Sequence, residues 1–302
     1  LKKHSEAKLL RTFSVVEQTV IKKKQRRNPM KNGFICPKCK APLTVSGGSL
    51  RCPDGHCYDI SSGGYVNLLL SNMMNSKLPG DNKLMVNARR AFLNKGFYRP
   101  LADLTAETVL RYADKPSVVL DAGCGEGYYT GIISEKLKNA SVSADIFGID
   151  ISKNAVNAAA KRYKDISFAA ASVFHIPMAD ESCDILVTMF APYCGEEYLR
   201  VLKKGGVMIM AIPGERHLFG LKSAVYDKPY LNEVKDYPLD GFEFLGTEKL
   251  DYTIDLTSNE DISSLFTMTP YYYKTSAEGQ KRLDALSSLE TEVSFEVLSY
   301  RK

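Results

Sequence analysis

No run in this 302-residue chain approaches the roughly 18 consecutive apolar residues that a membrane-spanning helix needs. That shortage predicts a chain without a helical membrane span. The first residues are too basic, and too often interrupted by charge, to read as a secretory signal. A disulfide framework is missing too. Four of the seven cysteines crowd into residues 36–57, and Cys124, Cys183 and Cys194 stand singly in apolar segments, as buried thiols do. A reducing, cytoplasmic setting is the expectation. No internal repeat is visible.

What is present is a core-forming composition, with 44% hydrophobic residues, and an uneven distribution of charge. The net charge of +5 divides into +8 over residues 1–31, +6 over 32–100 and −9 over 101–302. A basic front on an acidic body suggests a polyanionic partner docked through the front.

Four segments follow from the pattern. Residues 1–33 read as a basic, flexible extension, within which LLRTFSVVEQTVIKKKQRR has the makings of an amphipathic helix. Met30 is a natural start for the folded part. Residues 34–64 form a cysteine-rich module with turns at Ser46-Gly47-Gly48 and Ser62-Gly63-Gly64. Residues 65–117 connect it to the body through YVNLLLSNMM, a polar turn at LPGDN and one helical stretch, VNARRAFLNKGFYRPL. From residue 118 to 302, short apolar runs alternate with helical segments, the mark of βαβ units on a mainly parallel sheet. The expected strands are VVLDAG, FGIDI, ISFAAAS, CDILVTMF and VMIMAIP. FLGTEKLDYTIDL and VSFEVLSY alternate in polarity and are expected to pair antiparallel at the far edge.

The sequence VVLDAGCGEGYYT carries the strongest chemical signal. An apolar strand ends at Asp121, and Gly123, Gly125 and Gly127 follow at alternate positions before a helix. Glycines belong there because the turn is tight and a ligand must lie against the backbone. In the dinucleotide pattern G-x-G-x-x-G the last glycine would fall on Tyr128. Asp121 and Glu126 would repel a pyrophosphate but tolerate a cation. At the tip of the next strand Asp150, with the adjoining Ile151, is placed to accept both hydroxyls of a ribose. Its alternative reading is a helix cap, for which Ser152 also qualifies. Together these motifs match the S-adenosylmethionine-dependent methyltransferases of the seven-stranded, Rossmann-like α/β class, preceded here by a small zinc-binding module.

That module offers five ligands for a four-coordinate ion. Cys36 and Cys39 are spaced C-x2-C, Cys52 and His56 are spaced C-x3-H, and Cys57 is the fifth candidate. His56 and Cys57 are adjacent and could hardly both face one ion. The spacing favours Cys36, Cys39, Cys52 and His56 as a closed structural Zn2+ site.

Several further stretches join these two halves: GGYVNLL, PGD before ARRAFLNKGFYRPL, GIDISKNAVNAAAKRY, FAPYC and PGERHL. The combination resembles the RlmA/TlrB-type methyltransferases of large-subunit ribosomal RNA from residue 34 to about 300. The resemblance implies transfer of a methyl group from S-adenosylmethionine to guanine N1. The implied target lies in a hairpin loop of 23S rRNA near the peptide exit tunnel, where macrolides bind, and some members of the family influence macrolide susceptibility. Gly123, Gly125 and Glu126 match cofactor positions of the family, as do Tyr98 in GFYRPL and His217 in PGERHL. The zinc module corresponds to the RNA-recognition part, with Lys38, Lys40, Arg51, Arg89 and Arg90 as RNA-binding candidates and Lys95 and Arg99 extending the strip. A second copy of the chain is a further candidate partner.

No catalytic base emerges from the residues. FAPYC, 190–194, stands where this class faces its substrate, and it lacks the amide or carboxylate of the exocyclic-amine methylases. Tyr193 is open to two readings, base stacking or core. Two competing functions remain: a small-molecule methyltransferase with a purely structural zinc, or a non-catalytic zinc-containing RNA-binding protein.

Overall fold

The computed structural model describes residues 30–70, 80–113, 116–234 and 237–302. The expected basic helix therefore lies outside the described residues, as do residues 71–74 of YVNLLLSNMM. Strands β1 (Thr44–Ser46), β2 (Ser49–Arg51) and β3 (Cys57–Asp59) form a small antiparallel sheet in the cysteine-rich module. The next strand, β4 (Tyr65–Asn67), leaves that module and runs parallel to a strand of the main sheet, with Val66 opposite Ala169.

Helices α1 (Lys83–Asn94) and α2 (Arg99–Tyr112) occupy the stretch read as one helix. Asn82 caps α1 by accepting from the Met85 amide at 3.0 Å. The break comes at Gly96, whose φ of 84° ends α1, and Pro100 fits only the first turn of a new helix. This turn brings Tyr98 inward.

The body follows as β5 (Ser117–Ala122), α3 (Tyr128–Asn139), β6 (Ala144–Asp150), α4 (Lys153–Arg162), β7 (Ser167–Ala170), β8 (Cys183–Met189), α5 (Gly195–Val201) and β9 (Leu202–Pro213). Then come α6 (Phe219–Val225), β10 (Glu243–Leu256), α7 (Asn259–Thr267), α8 (Ala277–Asp284) and β11 (Leu289–Arg301). The sheet order is β10-β11-β9-β8-β5-β6-β7-β4. All pairings are parallel except β10–β11 and β11–β9, so the far edge is antiparallel as expected. The fold is the Rossmann-like methyltransferase fold, with seven strands of the expected kind and β4 as an eighth. The central strands are apolar on both faces because helices and the N-terminal module cover both.

One face carries the cysteine-rich module. Phe34 meets Phe147 edge to face at 5.2 Å between ring centres, and Met30, Leu43, Leu50 and Met178 share that core. The Ile35 amide donates to Pro177 O at 2.9 Å, and Lys31 pairs with Asp145 at 2.6 Å. Between β10 and β11, α7, a 3-10 turn (Pro270–Tyr273) and α8 fold back as a cap on α1. Lys95 pairs with Asp261, and Arg89 donates to Met268 O at 3.3 Å. No helix among the described residues is long and apolar enough to cross a membrane.

Candidate active site and metal centre

The glycine turn leaves β5 with two amides, Gly123 N and Cys124 N, donating to Ile149 O at 2.8 and 2.9 Å. It is pinned from the next strand by Asp150, which accepts from Gly125 N at 2.9 Å and from Ser152 N at 2.7 Å. Gly123 has φ 93°, and a Cβ there would drive into Ala191, so only glycine fits.

Beside this turn lies a cavity of about 710 Å3. Of the expected cofactor residues, Tyr98, Asp121, Gly123, Gly125, Glu126 and His217 line it. Gly127, Asp150 and Ile151 do not. Gly127 leads into α3, Asp150 spends one lone pair of each oxygen on the loop amides, and Ile151 sits against Gly80. The helix-cap role falls to Ser152, whose hydroxyl accepts from Ala155 N at 3.2 Å.

Two carboxylate oxygens of residues lining the cavity, Asp121 Oδ1 and Glu126 Oε1, are buried without a hydrogen-bond partner among the described residues. Burial pushes the Asp121 carboxyl up to about 7; the Thr130 hydroxyl opposes the shift and the Asp150 charge adds to it. Glu126 is also raised by burial, against the pull of Arg162 and Arg90. Unpartnered acceptors beside a glycine cradle fit a ligand bearing cationic groups. S-adenosylmethionine, with a sulfonium and an ammonium, has that character and a pyrophosphate does not.

Tyr98 and His217 come from segments 119 residues apart and meet at 3.4 Å, Oη to Nε2. The Ser294 amide donates to His217 Nδ1 at 3.3 Å, which places the neutral ring's proton on Nε2. Burial, with Lys222 nearby, pulls His217 down to about 3, and burial pushes Tyr98 well above its ordinary value. The pair is therefore neutral. His217 donates to Tyr98, leaving the Tyr98 hydroxyl proton for a ligand.

The four favoured metal ligands converge: their donor atoms lie within 4.8 Å of one another. His56 Nδ1 is 3.5 Å from Cys36 Sγ and 3.4 Å from Cys52 Sγ, and Cys39 Sγ is 3.6 Å from Cys52 Sγ. A tetrahedral zinc with bonds of about 2.0–2.3 Å spaces its ligands by about 3.5–3.8 Å, so the set fits the ion. Cys57 is exposed at the start of β3 and is not part of the cluster. Tyr58 contacts Cys36 Sγ through its hydroxyl at 3.2 Å and supports the ligand from outside.

Lys38, Lys40 and Arg51 are exposed on the same module and make no ion pair among the described residues. Arg89 and Arg90 are placed differently. Arg89 lines the cavity and pairs with Asp81 at 2.7 Å, and Arg90 reaches buried Glu126 at 3.3 Å, with Arg162 at 3.6 Å. Lys95 and Arg99 are tied to Asp261 and Asp103. Sequence reasoning missed the cavity's outer wall. Met268–Tyr271 and Tyr273 from the cap, and Met210–Pro213 from β9, line it without any local motif to announce them.

A glycine turn after β5, two buried carboxyl groups lining the same cavity and the sheet order β10-β11-β9-β8-β5-β6-β7 define an S-adenosylmethionine-dependent methyltransferase. Residues 113–257 match the family described as a methyltransferase domain, and residues 34–77 match the N-terminal zinc ribbon of RlmA. The 23S rRNA (guanine(748)-N(1))-methyltransferase of Streptomyces fradiae is 34% identical over 73% of this chain and 79% of its own. A Bacillus subtilis (strain 168) protein, YxjB, carries a provisional 23S rRNA (guanine-N(1)-)-methyltransferase name. It is 33% identical over 65% of this chain and 70% of its own. The chain belongs to this family of 23S rRNA guanine-N1 methyltransferases.

Proposed function

We propose that the protein methylates N1 of one guanine of 23S rRNA, in a hairpin loop near the peptide exit tunnel, with consequences for macrolide susceptibility. The observation that carries this reading is the pairing of a cation-fitting cavity with a welded zinc module in a chain of this family. When bound, S-adenosylmethionine supplies an electrophilic methyl group. The chain's residues do the rest. The 123–127 turn and Asp121 hold the donor. The Tyr98–His217 pair offers one hydrogen bond and cannot take the N1 proton, since neither ring has a free basic site. Lys38, Lys40 and Arg51 give phosphates a landing surface whose affinity falls with salt. The test is transfer of label from S-adenosylmethionine to unmodified 23S rRNA. Triple replacement of the three basic residues by Ala is expected to weaken RNA binding at least tenfold and to flatten its salt dependence, with cofactor affinity unchanged. Unaltered RNA binding would remove the module from the interface.

Asp121 adds a pH signature. With its carboxyl near 7, it is substantially protonated in the empty site at neutral pH. A cation beside Oδ1 favours the ionised form, so binding expels a proton. Cofactor affinity is expected to rise with pH through 7. Calorimetry at pH 6.5 in buffers of unlike ionisation enthalpy should register up to one proton released, and Asp121→Asn should abolish it. Equal heats in both buffers would contradict the assignment.

A further inference from the structure

Phe190 is the first residue after β8, and its φ of 56° lies in the left-handed region that bulky side chains avoid. The peptide is held there by its own amide, which donates to Ala211 O at 3.3 Å. The strain gains no burial: the ring remains 41% exposed and lines the cavity beside the glycine turn. Its inner side leans on Phe295, 5.6 Å away between ring centres, and Phe295 in turn packs on His217 at 4.6 Å and Tyr98 at 4.9 Å. Ala191, the next residue, lies directly over Gly123. The exposed ring thus stands next to the donor's cradle, backed by a rigid aromatic cluster.

An apolar ring reached through strained backbone and left facing an open cavity serves something other than the core. Tyr193, open in the sequence to base stacking or to the core, does not line the cavity; it packs edge-on to Tyr198 at 5.6 Å between ring centres. We propose that Phe190 is the platform on which the target purine stacks once it has swung out of its RNA loop. The proposal rests on the guanine-methylation reading and assigns to Phe190 the alignment of the base plane with the donor. An aromatic face is suited to this, because it grips a base without a hydrogen bond and keeps it in one plane.

The test compares wild type with Phe190→Gly, Phe190→Leu and Phe190→Tyr in methylation of 23S rRNA, with cofactor binding measured by calorimetry and folding by thermal melting. Glycine suits the backbone angle, so that variant should melt no more than a few degrees below wild type. Cofactor affinity should stay within about twofold for all three. Gly and Leu should lower kcat/KM for RNA by about 10- to 100-fold, the range expected for one stacked base. Tyr should restore activity to within about threefold of wild type. Full activity in Gly or Leu would overturn the proposal, as would a matching loss of cofactor affinity, which would make Phe190 a prop for the glycine turn. Wild-type protein that labels no RNA at all would overturn the guanine reading first, and the platform with it.

Discussion

Gly123→Ala is expected to lower cofactor affinity by about 100-fold or more while leaving the protein folded. Two effects combine. An alanine at φ 93° is strained wherever it occurs, by on the order of 1–2 kcal/mol. The larger effect is steric, because the new Cβ collides with Ala191, whose backbone carries Phe190. One or the other must move, and both border the cavity. Displacements of about 1 Å at a reacting centre also cost about 100-fold in rate, so turnover should fall along with affinity. Gly205→Ala is the control. Gly205 has φ 77°, yet a Cβ there meets nothing within 4 Å, so it carries the strain without the collision. It should lose some stability and keep its cofactor affinity. Equal binding by wild type and Gly123→Ala in calorimetry would show that the donor does not rest on this turn.

Removal of zinc should destabilise the whole protein, not the module alone. The metal-binding segment is too short to hold itself together, and structural zinc in such modules contributes most of the folding free energy. Here the module's apolar side is part of the body's second core, with Phe34 on Phe147, and β4 hydrogen-bonds to β7. Unfolding the module would expose Phe147, Met178 and the edge of the sheet. Chelation, or Cys39→Ser, is therefore expected to lower the thermal midpoint by at least about 10 °C in a single cooperative transition, using about 2–4 °C per kcal/mol for a domain of this size. A two-step melt in which the second transition stays at the original temperature would mean that the module unfolds on its own.

These expectations divide along a line between local and distant signals. The glycine turn, the C-x2-C and C-x3-H spacings and the apolar strands from Val118 onward are patterns within a few residues, and the structure contains all of them. The antiparallel β10–β11 edge was legible for the same reason, since both strands alternate in polarity over their length. β4 was not, because three residues pairing with a strand a hundred positions away leave no periodic trace. The helix break at Gly96 was written in the sequence, but an apolar pattern continuing across it masked the break.

The site shows the same division. Tyr98 and His217 came from family resemblance, and only the fold brings them together, through an aromatic cluster built on Phe295 from β11. Arg89 and Arg90 read as RNA-binding candidates on a basic strip, because their acceptors, Asp81 and Glu126, are brought to them only by the fold. Asp150 was found at the strand tip, but its carboxylate proved to be bound to loop amides, which composition cannot reveal. In FAPYC the aromatic that lines the cavity is Phe190, and the signal is a backbone angle.

The most direct test is primer extension on unmodified 23S rRNA after incubation with the protein and S-adenosylmethionine. A methyl group on N1 blocks Watson–Crick pairing, so the account predicts one new stop, adjacent to a single guanine in a hairpin loop. Labelled RNA that gives no stop would place the methyl group on an atom outside the pairing edge and contradict it.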